Sequence, residues 1–352
     1  MVEQTTVARE ESPTRRQRRP SGVAAYDLWE LSCRLRRHDY VAFLARHEAL
    51  YAQARRSADY GEVTAHFYSV MAEVIELGFG GSFHFVPPRC RGQSQRDAES
   101  WLHERIAALL NHGVGKRALD VGCGIGTTMA DVAKHSGGAV TGVTISPEEV
   151  ARGNVLMAER GVSSLCRLQE GDCTRPLPFA DASFDSVYAV YALKYFPELT
   201  PTFRQVQRVL KRGGLFLVYD MLKTDKYDAA NPEHQRAVAE VEETCGMPDL
   251  HTCPEMMETA EAAGLELVSR FDLATDPVNL PWYYFLGNQM TLKFLKSPLF
   301  KWTMKLLEAL RLMPKGWTAF VNKFGVGIAL QLVKSGQLGI VSGSEVLIFK
   351  KP

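Results

Sequence analysis

From about Ala24, apolar residues recur every three or four positions, at Leu28, Leu31 and Leu35 and then Val41 and Leu44. Charges fall between them, a pattern that predicts a helical lead-in. Further on the pattern changes. A short apolar run, Ala118 to Val121, meets Gly122, Gly124 and Gly126, predicting a strand that turns sharply into a helix from Thr127. Similar runs predict strands over Ala139 to Ile145, just before Glu170, over Phe184 to Val190, through the turn and strand from Val209 to Tyr219, and finally at Glu345 to Phe349. Near the C-terminus Pro298 and Pro314 interrupt any helix and leave the stretch between them as its extent.

Composition narrows the classes. The chain has 352 residues, enough for roughly two domains at ~150 residues each. It is 46% hydrophobic and 23% charged, as ordinary globular proteins are. Lys plus Arg number 41 against 40 Asp plus Glu, so the formal charge is +1 and nucleic acid is not expected as a partner. No run reaches the ~18 apolar residues of a membrane span, and the polar stretch from Met1 to about Ser21, with Arg15, Arg16, Arg18 and Arg19, lacks a signal-peptide core. The seven cysteines include no CxxC pair; reduced thiols, a cytosolic setting and no zinc site are expected.

The glycine turn carries the chemistry. Its backbone can approach a ligand closely, and the helix that follows offers unpaired N–H groups to a carboxylate or phosphate. A nicotinamide dinucleotide would be the commonest ligand for such a turn. Here, however, the third glycine comes one residue early, and the second strand ends in Thr144, Ile145 and Ser146 without the ribose-binding acid. The acid precedes the glycines instead, as Asp120.

Asp120-x-Gly-x-Gly-x-Gly126 resembles motif I of class I S-adenosylmethionine methyltransferases, and Glu170-Gly-Asp172-Cys173, the Phe184–Val190 strand and Val209-Leu-Lys-Arg-Gly-Gly follow in that family's order. The resemblance implies a Rossmann-like α/β fold with a seven-stranded sheet, a helical N-terminal cap and a helical insertion before the last strand. It implies S-adenosylmethionine as cofactor, with Asp120, Gly122, Cys123, Gly124 and Gly126 around its methionine end. Thr144 and Ser146 would reach the ribose, and Asp172 the adenine amino group, with Cys173 beside it.

The flanking segments are more specific. Gly78 to Phe85, Thr224-Asp-Lys-Tyr-Asp228, Asn231-Pro-Glu-His234 and Pro281-Trp-Tyr-Tyr284 resemble the sterol C-methyltransferases from about residue 36 onward. That family implies a sterol substrate, with Tyr68, Phe79, Phe83, Phe85, Trp282 and Tyr283 as aromatic walls. After the fourth strand, sterol 24-C-methyltransferases carry an acid and a histidine where this chain has Tyr191 and Tyr195, with Lys194 between. This variant, with Phe79-Gly-Gly-Ser-Phe-His-Phe-Val-Pro-Pro88 and Gly339-Ile-Val-Ser-Gly343, is similar to the nematode sterol 4-C-methyltransferase branch.

Chemistry favours that branch. Methylation at C-24 leaves a carbocation that wants a carboxylate or π face, whereas methylation at C-4 of a 3-keto sterol needs a base and a donor to the enolate oxygen. Tyr191, Tyr195, Lys194 and His84 are the candidate catalytic residues. Tyr191 reads equally as a pocket wall, Lys194 as a solvated loop charge, and His84 as a packed, hydrogen-bonded histidine. No metal is needed, because a sulfonium methyl is already electrophilic. Side-chain methylation at C-24, methylation of another small lipid or fatty acyl chain, and a sterol-binding protein without catalysis are the competing readings.

From residue 291 to 323 seven basic residues face a single acid, Glu308, among many leucines and aromatics. The segment reads either as a basic amphipathic surface resting on a membrane, placing the protein in the cytoplasm and peripherally on the endoplasmic reticulum, or as a lid over the sterol. The expected organisation is a basic tail over 1–22, a cap over 23–100 contributing to the sterol pocket, a cofactor-binding core over 101–278 and a C-terminal region over 279–352. Assembly into oligomers is compatible with all of this.

Overall fold

The protein's structure, a computed structural model, is described for residues 38–79, 84–286, 294 and 297–352, with 72–79 described as helical backbone. Among the described residues, seven strands form one sheet: β1 (Arg117–Val121), β2 (Ala139–Thr144), β3 (Cys166–Glu170), β4 (Phe184–Val190), β5 (Leu210–Lys223), β6 (Glu266–Asp272) and β7 (Val341–Lys350). Their order across the sheet is β3-β2-β1-β4-β5-β7-β6. The first five run parallel, and β7 inserts antiparallel between β5 and β6. The order reverses between β1 and β4, and a crevice opens at the carboxyl ends of strands at such a point.

The sheet is covered on both faces, which is why its strands are nearly unbroken apolar runs. Alternation along the strands divides the core in two. Leu119, Val121, Val187, Phe216 and Val218 pack with Phe203 and Val206 of α6 (Thr200–Val209) and Met256 and Ala260 of α8 (Cys253–Ala262). Ala118, Val140, Tyr188, Leu217 and Tyr219 face the other way, toward α3 (Gln95–Leu109), α4 (Thr127–Ser136) and α5 (Pro147–Glu159). That second core is continuous with the cap. Tyr40 and Phe43 of α1 (Tyr40–Ser57), Phe67 and Val70 of α2 (Gly61–Phe79), and Ala237, Val238 and Val241 of α7 (Pro232–Cys245) all belong to it.

Between β6 and β7 lie α9 (Pro298–Ala309), α10 (Trp317–Phe320), a π-helical turn (Val321–Gly327) and α11 (Ile328–Leu338). Phe320 and Phe324 stack at 5.3 Å and meet Phe43 of the cap edge-on, tying the insertion to α1. Proline marks the entries: Pro147, Pro232 and Pro298 each open a helix behind a Ser or Asn cap.

The predicted strand at 184–190 and the helix start at Thr127 coincide with the structure. Three boundaries differ. Strand β2 stops at Thr144 because Ile145 turns out to solvent. Strands β5 and β7 extend beyond the apolar runs because they pair with each other, through Leu222↔Ser342 and Lys223↔Val341. In the lead-in, 24–37 lies outside the described residues. On α1 it is Tyr40, Phe43 and His47, larger than the expected Val41, that form the buried face, and Val41 points outward.

Gly343 on β7 lies under Trp282, such that a Cβ added there would stand 2.5 Å from Trp282 Cε3. Gly343→Ala is therefore expected to destabilise the fold by about 1–3 kcal/mol, the usual cost of overpacking, as read from urea unfolding midpoints. An unchanged midpoint would mean that Trp282 moves freely.

Candidate active site

Two loops meet at the switch point. The first is the glycine turn after β1, where Gly122, Gly124 and Gly126 all adopt positive φ, at 74°, 55° and 82°. A Cβ at Gly122 would lie 2.5 Å from Ala192 Cβ, so only glycine lets the turn close on the loop after β4. The N–H groups of Gly122 and Cys123 bond the Val143 carbonyl at 2.9 and 3.0 Å, fixing the turn to β2. Cys123 packs over Gly142 on that strand, and burial raises its thiol pKa well above the usual range.

Asp120 lies at the base of the turn. It is buried, its Oδ2 has no hydrogen-bond partner, and burial pushes its carboxyl up to about 7, although the Tyr188 hydroxyl stands near enough to lower it. An unsatisfied buried carboxylate beside a glycine turn suits a ligand that brings its own positive charge or donors.

Thr144 and Ser146 close the β2 side, in company with an acid missed in the sequence. Glu149, in the first turn of α5, takes a short hydrogen bond from Thr144 Oγ1, while its Oε1 would stand 3.9 Å from a Cβ at Gly124. A carboxylate from the helix thus stands beside the end of β2 and the glycine turn. Its available signal was Ser-x-x-Glu at a helix start; Ser146 Oγ does accept from the Glu149 N–H at 3.2 Å. Ser146 Oγ itself donates to Glu148 at 2.9 Å. On β3's exit Asp172 accepts from Thr174 N and Oγ1 at 2.9 and 2.6 Å and pairs with Arg175 at 3.2 Å. Cys173 is buried beside it, its thiol against the Gly122 backbone.

The second loop follows β4. Tyr191 adopts a left-handed φ of 56°, unusual for a bulky residue. Its N–H bonds Tyr219 O at 2.8 Å and its hydroxyl donates to Gly343 O at 2.5 Å. Lys194 is not a solvated charge. It is buried, with Nζ bonded to the Tyr191 carbonyl, 3.5 Å from Asp220 Oδ1, and 4.0 and 4.7 Å from the ring centres of Tyr191 and Tyr195. Asp220 also accepts from Lys194 N at 3.2 Å and Met221 N at 2.8 Å. Burial brings the Lys194 ammonium down to about 8 despite Asp220. Tyr195 shares a 2.8 Å hydroxyl–hydroxyl bond with Tyr68 of α2, and burial raises both phenols.

Aromatic side chains wall this end. Phe85 meets Tyr191 and Trp282 at 6.0 and 5.3 Å, and Tyr219 donates to the Phe85 carbonyl at 2.6 Å. Tyr283 meets Trp282 edge-on at 5.4 Å and packs over Gly336 of α11. His84 is buried, 6.1 Å from the Tyr191 ring and 6.4 Å from the Tyr219 ring. Its Nε2 bonds His103 Nε2 at 3.1 Å; His103 Nδ1 bonds Asp131 Oδ2 at 2.9 Å. Phe83 and the Phe79 side chain lie outside the described residues.

Residues 119–218, from β1 into β5, match the family model described as a methyltransferase domain. Over 323 residues the chain is 41% identical to the sterol 4-C-methyltransferase strm-1 of Caenorhabditis elegans, covering 92% of this chain and 96% of that protein. The chain belongs to the sterol C-methyltransferase family. It is also 33% identical to the cycloartenol-C-24-methyltransferase of Arabidopsis thaliana, over 85% of this chain and 90% of the relative. In fold it is similar to the geranyl diphosphate C-methyltransferase of Streptomyces coelicolor A3(2), at a TM-score of 0.62 and 18% identity over 84% of this chain and 99% of that one.

In this family member the two loops bring together Asp120, the glycines, Cys123, Thr144 and Cys173 on one side and Tyr68, Tyr191, Lys194, Tyr195, His84, Phe85 and Trp282 on the other. Ser146 and Asp172 stand at the rim, half-exposed and engaged with neighbours. Besides Glu149, sequence reasoning missed Asp220, whose signal was a lone acid inside an apolar strand. It also missed His103 and Asp131, which only the tertiary fold brings to His84.

The buried ammonium makes a pH prediction. The folded state holds the Lys194 proton less tightly, with a pKa of about 8 against an unfolded 10.5, so the unfolded state carries more protons between those values. Stability from this group therefore rises as pH increases from about 8 to 10.5. Wild type is expected to gain roughly 1–3 kcal/mol over Lys194→Met across that window in urea unfolding. A constant difference between the two proteins would contradict the buried charge.

Proposed function

We propose that the protein transfers a methyl group from S-adenosylmethionine to C-4 of a 3-keto sterol. The observation that carries this reading is the phenolic end of the site: Tyr191 stands where a carboxylate would be needed beside a C-24 cation, and the nearby acid, Asp220, is neutralised by Lys194. The C-4 activity for which the C. elegans relative is named supports the same position.

The glycine-turn side fits the cofactor. Asp120 offers an unpaired carboxylate oxygen and the start of α4 offers free N–H groups to the methionine end. Thr144 and Glu149 together replace the ribose acid, and Asp172 with Cys173 borders the adenine. Bound there, S-adenosylmethionine supplies an electrophilic methyl on positively charged sulfur.

The protein's own contribution is to hold C-4 in line, to receive a proton and to steady the developing oxyanion. The Tyr68–Tyr195 pair can do the last. One hydroxyl hydrogen is used between the two oxygens, which leaves the other free to donate to the sterol oxygen. Tyr191, its hydrogen already given to Gly343, serves as a wall and an acceptor, and Lys194 holds that wall in place.

We also infer that α9 rests on a bilayer. Leu299, Trp302, Leu306 and Leu310 form an outward stripe, 66%, 62%, 40% and 59% exposed, while Met304 turns inward. Lys301, Lys305, Arg311 and Lys315 are exposed around it. A lid would turn that stripe toward the site, whereas an apolar stripe with basic flanks suits anionic lipid. Lys293 and Lys296 lie outside the described residues. Among the described residues no helix is long and apolar enough to cross a membrane. This reading places the protein at the cytoplasmic face of a sterol-bearing membrane such as the endoplasmic reticulum.

With methyl-labelled cofactor and a panel of sterols, mass spectrometry is expected to locate the label at C-4 of 3-keto sterols. Label on the side chain would establish C-24 chemistry instead. Tyr195→Phe is expected to lower kcat by about 10²–10³-fold, the loss typical of one oxyanion donor, with cofactor affinity unchanged; wild-type turnover would remove the donor role. For α9, Leu299→Ser combined with Trp302→Ser should abolish flotation with phosphatidylserine vesicles. Flotation equal to wild type would refute the bilayer contact.

A further inference from the structure

A chain of hydrogen bonds leads from the site toward the surface. It starts at His84, passes to His103 on α3 at 3.1 Å, then to Asp131 on α4 at 2.9 Å, and ends at Arg160, whose guanidinium meets the other Asp131 oxygen at 2.9 Å. Thr128, in the first turn of α4, adds a 3.4 Å contact to His103 Nε2. The two imidazoles are buried, whereas Asp131 and Arg160 reach the surface.

Proton bookkeeping along this chain has one consistent solution. A carboxylate can only accept, so His103 Nδ1 carries the hydrogen that Asp131 receives. Neutral His103 then has a bare Nε2. The 3.1 Å bond between the two Nε2 atoms therefore requires His84 to donate from Nε2, which leaves His84 Nδ1 as an unprotonated lone pair. Among the described residues no hydrogen bond occupies that nitrogen. Burial holds both imidazoles below the usual histidine range. His103 and Lys194 disfavour a cation at His84, which otherwise faces the rings of Tyr191 and Tyr219. At His103 the Asp131 carboxylate opposes burial, while His135 and Arg160 assist it.

We propose that His84 Nδ1 is the base that removes the C-4 proton, and that His103 and Asp131 are positioning residues that set its tautomer. This rests on the C-4 reading above. The C-4 hydrogen leaves as a proton to Nδ1, and the C–H electron pair stays on the sterol as the enolate, which methyl transfer then consumes. The cation that forms on His84 is stabilised through its Nε2–H bond to His103, which the Asp131 carboxylate polarises by holding the His103 Nδ1–H. When product leaves, water takes the proton from Nδ1 and His84 is neutral again. Without Asp131, the imidazolium would be stranded in a dry site.

Two measurements test this, neither of which requires bound cofactor. Nitrogen NMR of histidine-labelled protein, assigned with His84→Gln and His103→Gln, is expected to show His84 with a pyridine-like Nδ1 and a pyrrole-like Nε2. Asp131→Asn should mix or reverse that tautomer, because a carboxamide can also donate to His103, and Asp131→Glu should restore it. Second, a 3-keto sterol incubated in D2O should exchange its C-4 hydrogens in the wild type, lose exchange with His84→Gln, exchange about 10²-fold more slowly with Asp131→Asn and recover with Asp131→Glu. A hydrogen on His84 Nδ1 in the wild type, or Asp131→Asn exchanging at the wild-type rate, would overturn the proposal. Label at C-4 without any C-4 exchange would overturn the base role alone, and label on the side chain would overturn the C-4 reading with it, while the tautomer measurement judges the histidine chain by itself.

Discussion

The buried pair of Lys194 and Asp220 governs the carboxyl end of the sheet. An ammonium removed from water is costly unless its protons are used and its charge is matched. Here Asp220, the Tyr191 carbonyl and two phenol faces surround it, and Asp220 is itself held by two backbone N–H groups. The bond from Nζ to the Tyr191 carbonyl holds that residue in a left-handed conformation that a tyrosine would not adopt unaided. From it the rest follows. The Tyr191 hydroxyl lands on Gly343, Trp282 covers that glycine, and Ala192 comes to rest against Gly122. The turn suited to the methyl donor and the wall suited to the acceptor are therefore in direct mechanical contact.

That contact explains why the site is phenolic. A free carboxylate in so dry a place would protonate or need its own cation, and Asp120 shows the tendency with a carboxyl pushed to about 7. Phenols raised by burial stay neutral and keep a hydrogen to donate, which suits an oxygen that becomes negative during the proposed reaction. A donor aimed into low dielectric is also stronger than the same donor in water.

The strands and the glycine turn were legible in the sequence because backbone geometry alone dictates them. A buried parallel strand must be apolar, and the close approach of Ala192 to Gly122 tolerates no Cβ. The chemistry was legible only in part. Tyr191, Tyr195 and His84 stood out through the resemblance to the sterol C-methyltransferases, but whether Lys194 met water or Asp220 depended on a contact between β4's exit and β5 that no spacing reveals. Glu149 was concealed by its place in a helix cap, where Ser-x-x-Glu ordinarily serves the backbone. His103 and Asp131 belong to different helices and meet only when α3 packs on α4. On α1, periodicity picked out Val41, whereas the volume of Tyr40 and Phe43 decided which face is buried.

The orientation of the sterol tests the whole account most directly. A structure of the protein with a 3-keto sterol and a cofactor analogue should place the A-ring between Tyr195 and His84, its oxygen within hydrogen-bond distance of the Tyr68–Tyr195 pair and C-4 facing the glycine turn. A sterol lying the other way round, with its side chain at Tyr191 and its oxygen far from both tyrosines, would contradict it.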